Sequence, residues 1–152
     1  MMNKMTAGLL IGGICVLCGG CGAGDTAAYV DGTYTGQSSV FKNEDGTEDG
    51  NGYGEVSITI KDNMIVECTY QTFEENGVLK DDNYGKASGS IENRDFYNKA
   101  QKAVASCGEY ANLITQSGSL EGIDAISGAT INYTLFEEAI NDALEKAEEK
   151  QG

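Results

Sequence analysis

The stretch E55-V-S-I-T-I-K-D-N-M-I-V-E-C-T-Y-Q-T-F73 decides the fold. Val56, Ile58 and Ile60 alternate with Ser57, Thr59 and Lys61, the period of a strand with one buried face. Met64, Val66, Cys68 and Tyr70 are read as the matching face of a second strand. Between them, Asp62-Asn63 is a two-residue connection of the kind used in tight hairpins. On this reading Cys68 points to the same layer as Val66. Upstream, Y29-V-D-G-T-Y-T-G-Q37 offers a first strand. Residues 41–54 form a loop rich in Gly, Asp, Glu and Asn, and a second loop follows the hairpin, with Asn76-Gly77 marking a turn.

Two helical stripes come next. Phe96, Ala100, Ala103, Val104, Cys107, Ala111 and Ile114 recur at helical spacing. Leu135, Phe136, Ala139, Ile140, Ala143, Leu144 and Ala147 do the same. Strands followed by amphipathic helices predict a single α+β domain, an antiparallel β-sheet covered by helices.

The chain has 152 residues, with 24 acidic and 10 basic side chains and a formal net charge of -14. Such a surface repels phosphate backbones and anionic lipid, so no nucleic-acid partner is expected. Histidine is absent, which removes the Ser-His-Asp triad, the Cys-His dyad and most zinc sites. Loop residues Asp45, Thr47, Asp49 and Gly50 imitate the start of a calcium loop, but its twelfth position is Val56, where a carboxylate is required. G50-N-G-Y-G54 leads into a strand, whereas a phosphate-cradling glycine loop leads into a helix.

The N-terminus reads M1-M-N-K-M-T-A-G-L-L-I-G-G-I-C-V-L-C-G-G-C21. Lys4 supplies a positive start, and the apolar run over residues 7–17 is shorter than the about 20 residues a spanning helix needs. The segment resembles a bacterial lipoprotein signal peptide over residues 1–21. Cys21, preceded by Gly19 and Gly20, is the expected lipidated residue; the leucine usual three places earlier is here Cys18, with Leu17 one place further back. Residues 22–28 are read as a flexible tether and 29–150 as the folded domain. Cys68 and Cys107 remain as internal thiols; the alternatives are one disulfide, which an extracytoplasmic location allows, and two small buried hydrophobes, the favoured reading because both fall on apolar faces.

Before the last helix stands D124-A-I-S-G-A-T-I-N-Y-T134. Thr134 with Glu137 has the form of a capping box. That accounts for Thr134 but leaves the Asp-x-x-Ser-Gly-Ala-Thr run at 124–130 without a purpose. This run resembles the flavinylation motif of the FMN-binding domain family, related to the flavin subunits of sodium-pumping and Rnf-type redox complexes. Asp31–Gly36, the hairpin from Gly52, and the helices from Tyr97 and Phe136 are similar to the family's other elements.

The resemblance implies FMN as a covalent cofactor, joined through its phosphate to Thr130 by a separate flavin transferase that uses FAD and releases AMP. It makes Asp124, Ser127, Gly128 and Ala129 part of the site. Asp124 is expected to position the hydroxyl or the transferase's metal, and Gly128 and Ala129 to leave room for close approach. With no histidine to activate a threonine hydroxyl, an external enzyme is a natural requirement. Tyr53 and Tyr84, read in Gly-flanked loops, are expected to stack on the flavin or line its site. The expected function is a surface-anchored electron carrier, not an enzyme with its own substrate. It would exchange electrons between a membrane redox partner and an extracytoplasmic acceptor on the outer face of a bacterial cell membrane. The alternative is a lipoprotein without flavin that binds a small ligand or cell-wall component.

Overall fold

The structure, a computed structural model, describes residues 28–148. The signal segment, its Cys21 and nearly all of the tether lie outside the described residues. Three strands, β1 (Gly32–Gln37), β2 (Tyr53–Lys61) and β3 (Met64–Phe73), form an antiparallel meander in the order β1-β2-β3. Two helices follow, α1 (Arg94–Ser117) and α2 (Thr130–Ala147). Both pack on one face of the sheet, α1 mainly over β3 and α2 over β1 and β2. The architecture is α+β, an antiparallel sheet with helices over it.

The β2–β3 turn is built as its residues suggest. Asp62 and Asn63 both take positive φ, 50° and 63°, as a two-residue type I′ turn requires. The face assignment of β3 needs correction, however. Ile60 pairs with Ile65 but Thr59 pairs with Glu67, so Val66 is an extra residue. This bulge shifts the alternation by one place. Ile65 is therefore buried, while Met64 and Val66, expected inside, are 54% and 42% exposed. Beyond the bulge the expected phase is restored: Cys68 lies opposite Ile58, half-buried, and Tyr70 is buried. Cys68 and Val66 do not share a layer.

The core joins Val56, Ile58, Ile60 and Tyr70 of the sheet to Tyr110 and Ile114 of α1 and Phe136, Ala139 and Ile140 of α2. Tyr110, Phe136, Ile114 and Ile140 are fully buried. The Tyr110 and Phe136 rings stack at 5.4 Å, and Tyr70 sits 5.0 Å from Phe136. Phe96, counted in the α1 stripe from its spacing, is 55% exposed; it lies in the first turn, before Ala100, the first buried residue of the helix. Helix α1 starts on an Asn93 cap, whose side chain accepts from the Phe96 N–H, and ends at Gly118 in the left-handed conformation.

Neither internal thiol is in a disulfide. Burial pushes the Cys68 thiol up to about 12. Burial also raises Cys107, against the lowering effect of the Thr72 hydroxyl and Lys80. Thiolate is the reactive form, so both residues are expected to react with a thiol reagent at pH 8 far more slowly in the folded domain than in urea. Equal rates in the two conditions would contradict their burial.

Candidate functional site

The run from Asp124 to Thr130 is a loop that delivers the chain into α2. Gly128 takes φ +79°, a conformation costly for residues with a Cβ. A Cβ there would also lie 3.1 Å from the Lys102 ammonium, so the Lys102 side chain covers the glycine. Ala129 is buried and its N–H closes a turn on the Ile126 carbonyl at 2.9 Å.

The loop is fastened from below by Tyr110. Its hydroxyl accepts from the Ile126 N–H at 2.8 Å and donates to the Ala129 carbonyl at 3.2 Å. Asn132, one turn into the interior, donates to the Ala103 carbonyl at 2.6 Å and to Ser106, while its own carbonyl accepts from the Tyr70 hydroxyl. The start of α2 is thereby bonded to both α1 and β3. Removing the Tyr110 hydroxyl leaves the Ile126 N–H without its partner, while the Ala129 carbonyl keeps the Tyr133 N–H at 3.1 Å; an unsatisfied group costs about 1–3 kcal/mol when it is buried. Tyr110→Phe is expected to lower the urea midpoint accordingly.

Helix α2 begins at Thr130, one turn earlier than a capping box at Thr134 requires. Thr134 therefore lies inside the helix, its hydroxyl 3.4 Å from the Thr130 carbonyl. The N-cap position belongs to Ala129, which offers no side-chain hydrogen bond, and no acidic residue occupies the first turn. The first-turn N–H groups are left for another acceptor, and the positive end of the helix dipole favours that acceptor being an anion.

Thr130 is exposed and borders a cavity of about 360 Å³. Its walls are Gly128, Ala129, Ile131 and Asn132 from the loop and α2, Phe96, Lys99, Ala100 and Ala103 from α1, and Asn51 and Tyr84 from the two long loops. The volume falls in the range of about 300–1,000 Å³ usual for small-molecule sites. Aromatic and methyl groups line it beside Lys99, and Lys102 covers the adjoining glycine. These lysines supply positive charge in a strongly acidic chain.

The sequence-derived candidates divide. Thr130, Gly128, Ala129 and Tyr84 meet at the cavity. Asp124 and Ser127 are exposed and are not among its lining residues. Tyr53 is not a loop residue: it opens β2, and its ring stacks on Phe73 at 5.3 Å, away from the cavity lining. Tyr84 is half-buried, and burial first, then Glu74 and Asp49, raises its phenol above the ordinary value. Sequence reasoning missed Asn51, Phe96, Lys99, Tyr110 and Asn132. Tyr110 had a signal, since it falls between Cys107 and Ile114 in the apolar stripe.

The profile of the FMN-binding domain matches residues 50–145. The chain belongs to the FMN-binding domain family. The match spans the hairpin, α1, α2 as far as Glu145 and every residue that lines the cavity, so FMN is the cofactor this FMN-binding domain is built for. The fold is also similar to that of a crystallised CPE2226 protein from Clostridium perfringens. The TM-score is 0.55 at 21% identity, over 79% of this chain and 89% of that one. A comparison with curated proteins finds no match. The residues present would fit the cofactor: Tyr84 and Phe96 offer aromatic faces to a ring, and the uncapped helix start beside them offers N–H groups to a phosphate. Bound there, a flavin supplies reversible electron uptake, while the protein supplies placement and electrostatics.

Proposed function

We propose that this FMN-binding domain carries FMN covalently, through a phosphodiester to Thr130, and works as an electron carrier rather than as an enzyme with its own substrate. The observation that carries this reading is the setting of Thr130: exposed, first in α2, and on the edge of a cavity with Tyr84 and Lys99. A phosphate held there meets uncapped N–H groups and nearby lysines, while the chain's other charge is mostly negative. Gly128 lets the Lys102 side chain lie close beside the loop, and Tyr110 holds the loop in a fixed shape for a transferase to recognise. The domain has no histidine to deprotonate Thr130, which favours modification by a separate flavin transferase.

Asp124 and Ser127, being exposed beside the loop, are proposed as contacts for that transferase rather than as contacts to the bound ring. The lipid anchor at Cys21 would hold the domain at the extracytoplasmic face of a bacterial membrane, next to a membrane redox partner. Among the described residues no helix is long and apolar enough to cross a membrane. A covalent link suits that location, because a dilute surrounding medium would empty a reversible site.

The test is co-expression of the chain with an active flavin transferase. The expected product gains the mass of one FMN less one water, and its denatured gel band fluoresces. A wild-type band that stays dark, in a host where a known substrate is flavinylated, would leave the ligand-binding lipoprotein as the better reading.

A further inference from the structure

Lys80 lies against two residues of the cavity wall, Asn51 and Tyr84, without lining the cavity itself. It is 6% exposed, although a lysine ammonium is strongly hydrated and its burial is costly without a counter-charge. The Glu74–Gly77 turn brings it there: the chain doubles back and the Lys80 N–H bonds to the Thr72 carbonyl at 2.9 Å. Among the described residues no carboxylate reaches its ammonium at ion-pair distance. The ammonium instead donates to the Asn51 carbonyl and stands 4.9 Å from the centroid of the Tyr84 ring. Asn51 and Tyr84 are both cavity wall. Burial lowers Lys80 below the ordinary lysine value; Cys107 on α1, Glu74 after β3 and Asp49 before β2 act in the opposite sense from further away. An anion in the cavity would add to that opposite sense.

We propose that Lys80 is the fixed counter-charge of the flavin site, held behind the Asn51–Tyr84 wall so that it favours reduced, anionic flavin over the neutral oxidised ring. The inference rests on flavin occupying this cavity. Two-electron reduction of FMN with uptake of one proton leaves one negative charge on the ring. A buried cation behind a thin, low-dielectric wall stabilises that charge more than it would in water. Its effect is thus on the potential, not on the attachment reaction.

The experiment compares flavinylated wild type, Lys80→Met and Lys80→Arg in anaerobic titrations with dithionite and redox dyes at pH 7. Dithionite supplies the two electrons and solvent the proton. Lys80→Met, which keeps an apolar stem, is expected to reduce the preference for the reduced form at least tenfold, about 30 mV for a two-electron couple. Lys80→Arg is expected to stay within threefold of wild type. A flavinylated Lys80→Met protein with unchanged potential overturns the proposal, and so does a Lys80→Arg protein that falls as far as Lys80→Met. Should the methionine variant not accumulate, wild type decides the matter. One proton taken up per two electrons down to pH 5.5 supports an anionic reduced flavin; two protons overturn it, because a neutral ring has no charge for Lys80 to balance. Wild-type protein that gains no flavin mass overturns the carrier reading and this inference together, and is recognised before any variant is made.

Discussion

Thr130→Ala is expected to abolish covalent flavin while leaving the domain folded. The alcohol oxygen of the proposed phosphodiester comes from this side chain, so without it no ester forms. The fold loses little: the residue is exposed, and no hydrogen bond in the described structure depends on its hydroxyl. Alanine is also the better helix former, by a few tenths of a kcal/mol up to about 0.7 kcal/mol. Intact mass should therefore lose the FMN increment entirely while the circular dichroism spectrum and urea midpoint stay put or rise slightly. Thr134→Ala is the control. It removes a hydroxyl one turn further along α2 and should keep the full adduct. Fluorescence retained on a denatured Thr130→Ala band, or lost from Thr134→Ala, would move the attachment point elsewhere.

Gly36→Val should be the most damaging single change to the fold. Gly36 is the point where β1 crosses α2. A Cβ there would stand 1.9 Å from the Ala139 carbonyl oxygen, 2.7 Å from the Ala143 nitrogen and 2.9 Å from the Ala143 Cβ. Two of these are main-chain atoms of a helix, which cannot swing aside as a side-chain tip does. The facing residues are already alanines and both are fully buried, so nothing is left to trim. The strand must move off the helix or the core must open. Overpacking of this kind costs about 3 kcal/mol or more, a large part of the roughly 5–15 kcal/mol that holds a domain together. A markedly lower urea midpoint, or failure to accumulate, is the expected result. Gly108→Ala has the opposite sign: nothing lies within 4 Å of the added methyl on the exposed face of α1, and removing a helix-interior glycine should stabilise by about 0.5–1 kcal/mol. If both glycines respond alike, the close approach of β1 to α2 is not what sets the cost.

The hairpin, its turn and the two helical stripes were legible because each is a local periodicity. Asp62-Asn63 carries its own positive φ, and the α2 stripe from Leu135 to Ala147 repeats with the helical turn. The errors arose where one residue's place depends on a partner far along the chain. The bulge at Val66 cannot be seen in β3 alone; it exists because β2 pairs with it out of step. Phe96 follows the stripe but lies in a turn that does not reach the core. Thr134 makes a good cap in isolation, yet Tyr110 and Asn132 hold the chain so that the helix starts at Thr130.

By itself, then, the sequence determined the element types and the motif loop that ends at Thr130, since these depend on neighbours within a few residues. Only the tertiary structure decided which groups surround that threonine. Asn51, Tyr84 and Lys99 come from three separate segments, the buried Lys80 stands against Asn51 and Tyr84, and Tyr53 is drawn off to stack on Phe73 instead. A cavity is a property of packing between distant segments, and no local pattern of residues encodes the distance between two of its walls.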